Sequence, residues 1–388
     1  MTSSDMRPPM VDFSAAPFLV IWETTQACDL ACTHCRASAQ PERNLGELST
    51  AEGERLLTET AAMGTPVFVL SGGDPAKRPD LCHLIAYGKQ AGLRVGTIPA
   101  ATATLTEDFV QRLRDAGLDQ MALSLDFPNA DLHDAFRGVP GAFAKTMAAV
   151  EWAHRAALPL QINTTLCARS VPFLEEMAAL VEGLGIVFWE VFFLVPVGRG
   201  EGLDGLTPAQ CEAAFEILYR VQKRSSFLVK VTEAPHYRRY VAEREAERDR
   251  AERTDTPAMP EILTRSEGPG HTVGLAPRGV NAGNGFAFVS HTGDVFPSGF
   301  LPLRAGNVRS QPFAEIYRES PLFRALRDPA ALHGRCGRCE YVHICGGSRS
   351  RAYALTGDIL ATDPWCGYQP VGLRPQPASA RAASSPGS

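Results

Sequence analysis

Three cysteines stand close together near the N-terminus, in the stretch CDLACTHC at residues 28–35. Three residues separate Cys28 from Cys32 and two separate Cys32 from Cys35, so the three thiols share one short loop. A structural zinc site takes four protein ligands, and disulfide pairing needs an even number of cysteines. Three thiolates in one loop therefore predict a metal centre with one coordination position left open for another molecule.

A second group of four cysteines lies near the C-terminus, with the spacing Cys336-x2-Cys339-x5-Cys345-x20-Cys366. Four thiolates can ligate every iron of a [4Fe–4S] cluster. They can equally complete a tetrahedral structural zinc site. The spacing by itself leaves both interpretations open.

Bulk composition excludes several classes of protein. The 388 residues include 38 Lys and Arg against 43 Asp and Glu, so the net charge is 38 − 43 = −5, which argues against binding nucleic acid through a general basic field. No apolar run of about 18 residues and no secretory signal pattern is present, so we expect a cytoplasmic protein without a membrane span. Ten cysteines in such a chain favour metal binding over a disulfide framework.

Strand-like and helix-like segments alternate between about residues 17 and 225. The strand candidates are PFLVIWETT, PVFVLSGGD, LRVGTIPAA, QMALSLDFP, LPLQINTTL and VFWEVFFLV. Units repeated at intervals of ~30–35 residues predict a parallel sheet with right-handed crossovers. Six such units are fewer than the eight of a closed barrel, so the predicted fold class is α/β, an open partial (β/α)6 TIM-like barrel. The three-cysteine loop follows the first strand, at the end where parallel barrels carry their chemistry.

The pattern of segments along the sequence divides the chain into five parts. They are a flexible N-terminus (1–16), the barrel (17–235), a charged linker (236–270), a small cysteine-rich domain (271–370) and a disordered tail (371–388). In the small domain, GFAFVSHTGDVFPSG predicts a β-hairpin. Ser49 and Glu52 predict a capping box at the first helix. In VTEAPHY, Glu233 and His236 belong either to a surface loop or to a proton-transfer site at the barrel mouth.

The loop CDLACTHC after the first barrel strand resembles the cluster motif of the radical S-adenosylmethionine (SAM) enzymes. The resemblance implies that Cys28, Cys32 and Cys35 bind a [4Fe–4S] cluster whose open iron is chelated by SAM. It also implies one-electron cleavage of SAM to a 5′-deoxyadenosyl radical that abstracts hydrogen from a substrate.

Further positions match that family in order along the chain. SGGDP at 71–75 is similar to its glycine-rich SAM-binding motif, with Asp74 where Glu is more common. FRG at 136–138 resembles the segment whose Arg pairs with the SAM carboxylate. The common TNG after the third strand is replaced by IPAATATL, to which no role is assigned. The resemblance implies SAM contacts from His34, Ser71, Gly72, Gly73, Asp74, Ser124, Asp126, Arg137, Asn163 and Val197.

The C-terminal cysteines resemble the SPASM-type extension of these enzymes, which can hold two auxiliary clusters. Ser298 and Arg349 stand where that family often has Cys, and no Cys lies near 277–283. The missing positions all belong to one auxiliary cluster. The resemblance therefore implies a single auxiliary [4Fe–4S] cluster on Cys336, Cys339, Cys345 and Cys366, and two clusters in total.

The layout of the C-terminal segment, with TGDILATDPWC at its end, is most similar to the radical SAM proteins of haem d1 and alternative haem synthesis. Those enzymes trim tetrapyrrole side chains by decarboxylation or deacetylation, so a tetrapyrrole is the expected substrate. The alternatives are modification of a ribosomally made peptide and chemistry on a small metabolite. A flavodoxin- or ferredoxin-type electron donor is the expected partner, with no nucleic acid and no membrane.

Overall fold

The computed structural model describes residues 12–252 and 279–373. Its strands form one sheet in the order β10-β9-β8-β1-β2-β3-β4-β5-β6-β7. The strands are β1 Leu19–Glu23, β2 Val67–Ser71, β3 Arg94–Thr97, β4 Gln120–Ser124, β5 Leu160–Leu166, β6 Phe188–Phe193, β7 Leu228–Thr232, β8 Phe286–Val289, β9 Asp294–Phe296 and β10 Gly306–Asn307.

Strands β1 to β6 are the six predicted strands, each parallel to the next, so the predicted open barrel is confirmed. The structure adds a parallel strand at each side. Strand β7 pairs with β6, and β8 pairs with β1. The predicted hairpin is present, because β9 runs antiparallel to β8. The small domain thus shares the barrel's sheet.

Helices follow most of the strands along the chain. They are α1 Thr50–Ala62, α2 Leu81–Gln90, α3 Glu107–Asp115, α4 Ala130–Arg137, α5 Ala142–Arg155, α6 Leu174–Glu182, α7 Pro208–Arg224, α8 His236–Glu252, α9 Phe313–Glu319, α10 Pro321–Arg327, α11 Gly334–Gly337 and α12 Arg349–Thr356. The capping box predicted at α1 is confirmed, since the Ser49 hydroxyl accepts the Glu52 N–H and the Glu52 carboxylate accepts the Ser49 N–H.

Alternation along the strands separates the core from an inner cavity. In β1, Val20 and Trp22 are buried in the cluster that also contains Leu57 of α1. Their neighbours Leu19 and Ile21 line a cavity inside the barrel. Successive side chains of a strand point to opposite faces, so one strand supplies both the core and the cavity wall.

Two predicted segments are more ordered than the sequence suggested. In the predicted flexible N-terminus, Phe13 is buried and its carbonyl accepts the Tyr317 hydroxyl at 2.7 Å. The predicted linker begins as helix α8, where Tyr237 and Val241 are buried. The rest of that linker, the tail beyond 373, residues 1–11 and the boundary at 271 lie outside the described residues.

Candidate active site

The three-cysteine loop is anchored at the carboxyl ends of the strands by its backbone. The Ala31 N–H donates to the Arg137 carbonyl at 3.1 Å, and the Thr33 N–H donates to the Phe136 carbonyl at 2.9 Å, so the end of α4 holds the loop. At the loop's base, the Cys28 N–H donates to the Gln40 carbonyl at 2.7 Å. These bonds determine the loop's conformation, although it has no regular secondary structure.

Glycines in two other loops allow close approach to this backbone. A Cβ at Gly73 would lie 2.6 Å from the Ala27 carbonyl oxygen, and one at Gly198 would lie 2.4 Å from the Arg36 carbonyl oxygen. Gly198 also has a φ of +57°, which disfavours other residues. A Cβ at Gly72 would lie 2.6 Å from the Thr25 carbonyl oxygen. The double glycine of SGGDP thus has a packing role against the cysteine loop, in addition to the cofactor approach inferred from sequence.

Each of the three sulfurs accepts one N–H donor. The Leu30 N–H lies 3.4 Å from Cys28 Sγ, the Ala39 N–H 3.5 Å from Cys35 Sγ, and Arg137 Nη1 3.7 Å from Cys32 Sγ. Burial raises the pKa of the Cys28 thiol to about 12 and also raises that of Cys32. Because the thiolate is the form that ligates metal, these donors and a bound cation would supply the stabilisation that burial removes.

A cavity of about 220 Å³ opens beside these cysteines. Of the residues expected to contact SAM, the ones in its lining are His34, Ser71, Gly72, Gly73, Ser124 and Arg137, together with Cys28, Cys32 and Cys35. The structure therefore brings together residues from the ends of β2 and β4, helix α4 and the cysteine loop. This is the enclosure that a ligand on an open cluster position requires.

Four of the expected contacts lie outside that lining, namely Asp74, Asp126, Asn163 and Val197. Asp74 is buried and accepts the Ala100 N–H at 3.2 Å and the Thr102 hydroxyl at 3.0 Å, so it holds the loop after β3. Asn163 accepts the Gln161 side-chain amide at 2.6 Å inside the barrel. In this structure Asp74 and Asn163 therefore hold neighbouring protein groups.

Asp126 forms an ion pair with Arg137, the arginine of the FRG motif. Its carboxylate pairs with Arg137 Nη2 at 2.5 Å and accepts the Thr165 N–H at 2.8 Å. Burial alone would raise the pKa of Asp126, but the adjacent Arg137 holds it below its usual range. Arg137 Nε is buried without a hydrogen-bond partner among the described residues, which leaves a donor for a carboxylate in the cavity.

Aromatic and cationic groups complete the site. The His34 ring stacks on Phe136 with the centroids 4.3 Å apart, and its Nδ1 is buried with no hydrogen-bond partner in the described part of the chain. Burial lowers the pKa of His34 to about 4, so its ring is neutral. Sequence reasoning missed Arg199, which donates to the Cys32 carbonyl at 2.9 Å. Its position two residues after Val197, in the stretch VPVGRG at 195–200, was the available signal.

The second cysteine group is surrounded in a similar way. Cys345 Sγ accepts the Gly347 N–H at 3.4 Å, and Cys336 Sγ accepts Arg349 Nη2 at 3.8 Å. Burial raises the pKa of the Cys345 thiol to about 12 and that of Cys366 to about 11. In the described part of the chain, no three His, Cys, Asp or Glu side chains are grouped to hold one metal ion. A cubane gives each thiolate its own iron, so its ligands need not converge on a single point.

The two residues that replace family cysteines have protein partners. Arg349 is buried and donates to the Ile359 carbonyl at 2.9 Å and to the Ala361 carbonyl at 2.7 Å. The Ser298 hydroxyl donates to the Glu233 carboxylate at 3.2 Å. Glu233 lies at the end of β7 and lines a cavity, so the surface-loop interpretation of VTEAPHY was wrong.

A larger cavity of about 340 Å³ continues into the barrel. Ile98, Phe192 and Phe300 line both cavities, which therefore adjoin. The larger cavity extends from these residues to Glu233 and Ser348 beside the second cysteine group. A molecule bound in it would lie between the two cysteine sites.

The remaining three cysteines pack in or against the hydrophobic core. Cys167 and Cys211 are buried in the main hydrophobic cluster, and the half-buried Cys82 packs against it. Among the described residues, no helix is both long and apolar enough to cross a membrane.

The cavity residues fit SAM on a cubane, because the donor Arg137 Nε and the ring nitrogen His34 Nδ1, both without a partner among the described residues, share a cavity with three sulfurs that each accept one N–H. The chain matches the radical SAM superfamily over residues 22–168 and an iron–sulfur cluster-binding domain over residues 281–340. A radical SAM domain binds SAM and a [4Fe–4S] cluster, and the second domain binds auxiliary iron–sulfur clusters.

Relatives of known name extend over nearly the whole chain. An AdoMet-dependent heme synthase of Methanosarcina barkeri is 42% identical over 93% of this chain and 99% of its own length. A PqqA peptide cyclase of Methylocella silvestris is 28% identical over 91% of this chain and 88% of its own length. The crystal structure of Streptococcus suis SuiB bound to S-adenosylmethionine has a TM-score of 0.69 at 15% identity, covering 91% of this chain and 78% of SuiB. The chain belongs to the radical SAM enzyme superfamily.

Proposed function

We propose that this radical SAM enzyme decarboxylates side chains of an iron tetrapyrrole in haem synthesis. The observation that carries the proposal is the 42% identity to an AdoMet-dependent heme synthase across 99% of that protein. The peptide cyclase relative is only 28% identical over a similar span. The substrate class is therefore inferred from the more similar relative.

The larger cavity supports a substrate of this kind. Its walls include Leu19, Ile21, Val69, Val229 and Phe286, which suit the apolar face of a macrocycle. Arg238 also lines it, and its positive charge suits a carboxylate substituent. Because this cavity adjoins the one beside the three cysteines, a substrate side chain near Ile98, Phe192 and Phe300 would face the SAM site.

We assign the cluster to the three loop thiols and the auxiliary cluster to Cys336, Cys339, Cys345 and Cys366. When bound, the first cluster supplies one electron for the reductive cleavage of SAM. Arg137 would hold the SAM carboxylate while Asp126 orients its guanidinium, and the His34–Phe136 stack would offer the adenine a flat apolar surface. Ser71 and Gly72 would border the methionine part of SAM.

The proposed net change at each propionate is loss of a hydrogen atom and carbon dioxide, which leaves a vinyl group. One electron also leaves the side chain and requires a one-electron acceptor of the iron–sulfur class. We further propose a flavodoxin- or ferredoxin-type donor for the first electron. A reducing compartment suits so many free thiols, so we propose a cytoplasmic location.

The test is an anaerobic reaction of the reconstituted protein with SAM, dithionite and iron coproporphyrin III. The expected products are 5′-deoxyadenosine and a porphyrin lighter by one CO₂ and two hydrogens for each converted side chain. A variant with Cys28→Ala, Cys32→Ala and Cys35→Ala should form no 5′-deoxyadenosine while keeping about four irons at the other site. SAM cleavage by that variant would refute the assignment of the cluster ligands.

Peptide modification is the alternative function, because a peptide cyclase is among the relatives. If wild-type protein cleaves SAM but leaves the porphyrin unchanged, the tetrapyrrole proposal fails. A candidate precursor peptide is then the next substrate, with loss of two hydrogens from the peptide as the readout.

A further inference from the structure

The larger cavity contains a positively charged side chain whose charge is balanced by no carboxylate of the described residues. Its lining includes four cations, of which Arg36 pairs with Glu23 at 2.9 Å and Lys230 pairs with Glu190 at 2.8 Å. Arg349 is buried, with its guanidinium turned to backbone carbonyls and to Cys336. That leaves Arg238, which has no ion pair with any described residue.

Three hydrogen bonds hold the Arg238 guanidinium in place. Nη1 donates to the Asn281 side-chain oxygen and to the Ile344 carbonyl, both at 3.1 Å, and Nη2 donates to the Val280 carbonyl at 2.7 Å. An arginine has five N–H donors, so the Nε–H and one Nη2–H have no bond to the described residues. Neutral carbonyls orient the group without cancelling its charge, and burial lowers its pKa.

We propose that Arg238 binds a carboxylate of the substrate, which under the proposed function is a propionate of the iron tetrapyrrole. The guanidinium is held rigidly, half-buried and at the cavity wall, so little entropy is lost when a carboxylate docks. A charge-assisted fork of this kind is both stronger and more directional than a neutral hydrogen bond. The site would anchor one side chain of the macrocycle and so determine which other side chain reaches the SAM cavity.

Glu233 carries the opposite charge to Arg238 and helps to orient the bound substrate. Its carboxylate also lines the cavity, and it accepts hydroxyls from Ser298 at 3.2 Å and from Ser350 at 2.9 Å. A propionate is repelled by Glu233 and attracted by Arg238. The two charges together favour one orientation of an anionic side chain over others.

The alternative role for Arg238 is purely structural, because it ties the Val280 and Ile344 backbones together next to Cys345. A thermodynamic cycle separates the two roles. Binding to reconstituted holoenzyme is measured by Soret titration with iron coproporphyrin III and with its tetramethyl ester, for wild type and Arg238→Gln. Iron content and SAM cleavage without porphyrin are recorded for both proteins.

We expect Arg238→Gln to weaken binding of the free acid by about 10- to 100-fold, as for loss of a charge-assisted pair, and to change binding of the ester by less than about twofold. Equal weakening for both ligands would overturn the proposal in favour of the structural role, and no weakening for either would overturn it as well. If Arg238→Gln loses iron, Arg238→Lys supplies the cycle, with a smaller loss confined to the free acid. If wild type binds neither porphyrin, the proposed function itself is refuted. If wild type converts the porphyrin and Arg238→Gln binds it equally well, only the role of Arg238 as an anchor is refuted.

Discussion

The C-terminal cysteine site is tested most directly by breaking the buried ion pair next to it. Arg351 and Asp363 have side chains that are both 0% exposed. Arg351 Nε and Nη2 lie 2.9 and 2.7 Å from the two carboxylate oxygens, and the guanidinium lies 4.2 Å from the Trp365 ring centre. Asp363 also accepts the Ser348 N–H at 2.9 Å. It therefore joins α12 to the loop that carries Cys366.

The perturbation is Asp363→Asn, which keeps the size of the side chain and removes its charge. Arg351 would then be a buried cation without a counter-ion, a situation that costs about 3–5 kcal/mol. The control is Glu107→Gln, which breaks an ion pair with Arg155. The Arg155 side chain is 52% exposed and that of Glu107 is 56% exposed. An exposed pair contributes far less to stability than a buried one, because water screens both charges.

The assay is urea unfolding of the reconstituted proteins under anaerobic conditions, followed by far-UV circular dichroism, with iron counted in the same samples. We expect Asp363→Asn to lose several times more stability than Glu107→Gln and to lose iron from the auxiliary site only. The double variant Arg351→Met with Asp363→Leu should be less destabilised than the sum of its single variants, because it leaves no unpaired charge. Equal effects of Asp363→Asn and Glu107→Gln would show that the pair is not isolated from water and would refute this reasoning.

Three further predictions concern the cysteine loop, acid stability and the iron count. Gly198→Ala should lower both SAM cleavage and iron bound by the three-cysteine loop, whereas Gly202→Ala in the same turn, where a Cβ would meet no atom of the described residues within 4 Å, should leave both unchanged. Burial lowers the pKa of His236 from 6.5 to about 3. Its stabilising contribution is therefore complete above about pH 6.5 and is lost as the pH falls towards 3, by about 1.4 kcal/mol per pH unit. His236→Leu should flatten that part of the urea-stability profile, and an unchanged slope would contradict the buried neutral ring. Because Ser298 and Arg349 stand where the family often has Cys, elemental analysis of reconstituted wild type should find about eight irons, and about twelve would show that a third cluster binds.

Short-range patterns in the sequence were sufficient for the cysteine sets, the six barrel strands and the capping box at α1. Each depends on residues within a few positions of one another, such as Ser49 with Glu52, or on the alternation along a single strand. The added strand β7 was missed because Lys230 and Thr232 interrupt a short apolar run. The structure explains those residues as cavity-facing, with Lys230 paired to Glu190.

Tertiary structure decided what the polar residues do. Asp74 and Asp126 occur in motifs whose resemblance implies SAM contact, and in the structure Asp74 holds the loop after β3 and Asp126 holds Arg137. Their partners come from other strand ends, and no local pattern encodes them. Arg238 lies in a charged run that reads as solvated, and only folding places its guanidinium at the wall of the larger cavity. The sequence by itself thus determined the three-thiol metal site, because covalent spacing positions the thiols, and its resemblance to the radical SAM enzymes implied the chemistry. The substrate-facing charges depend on contacts between distant segments, which exist only in the folded chain.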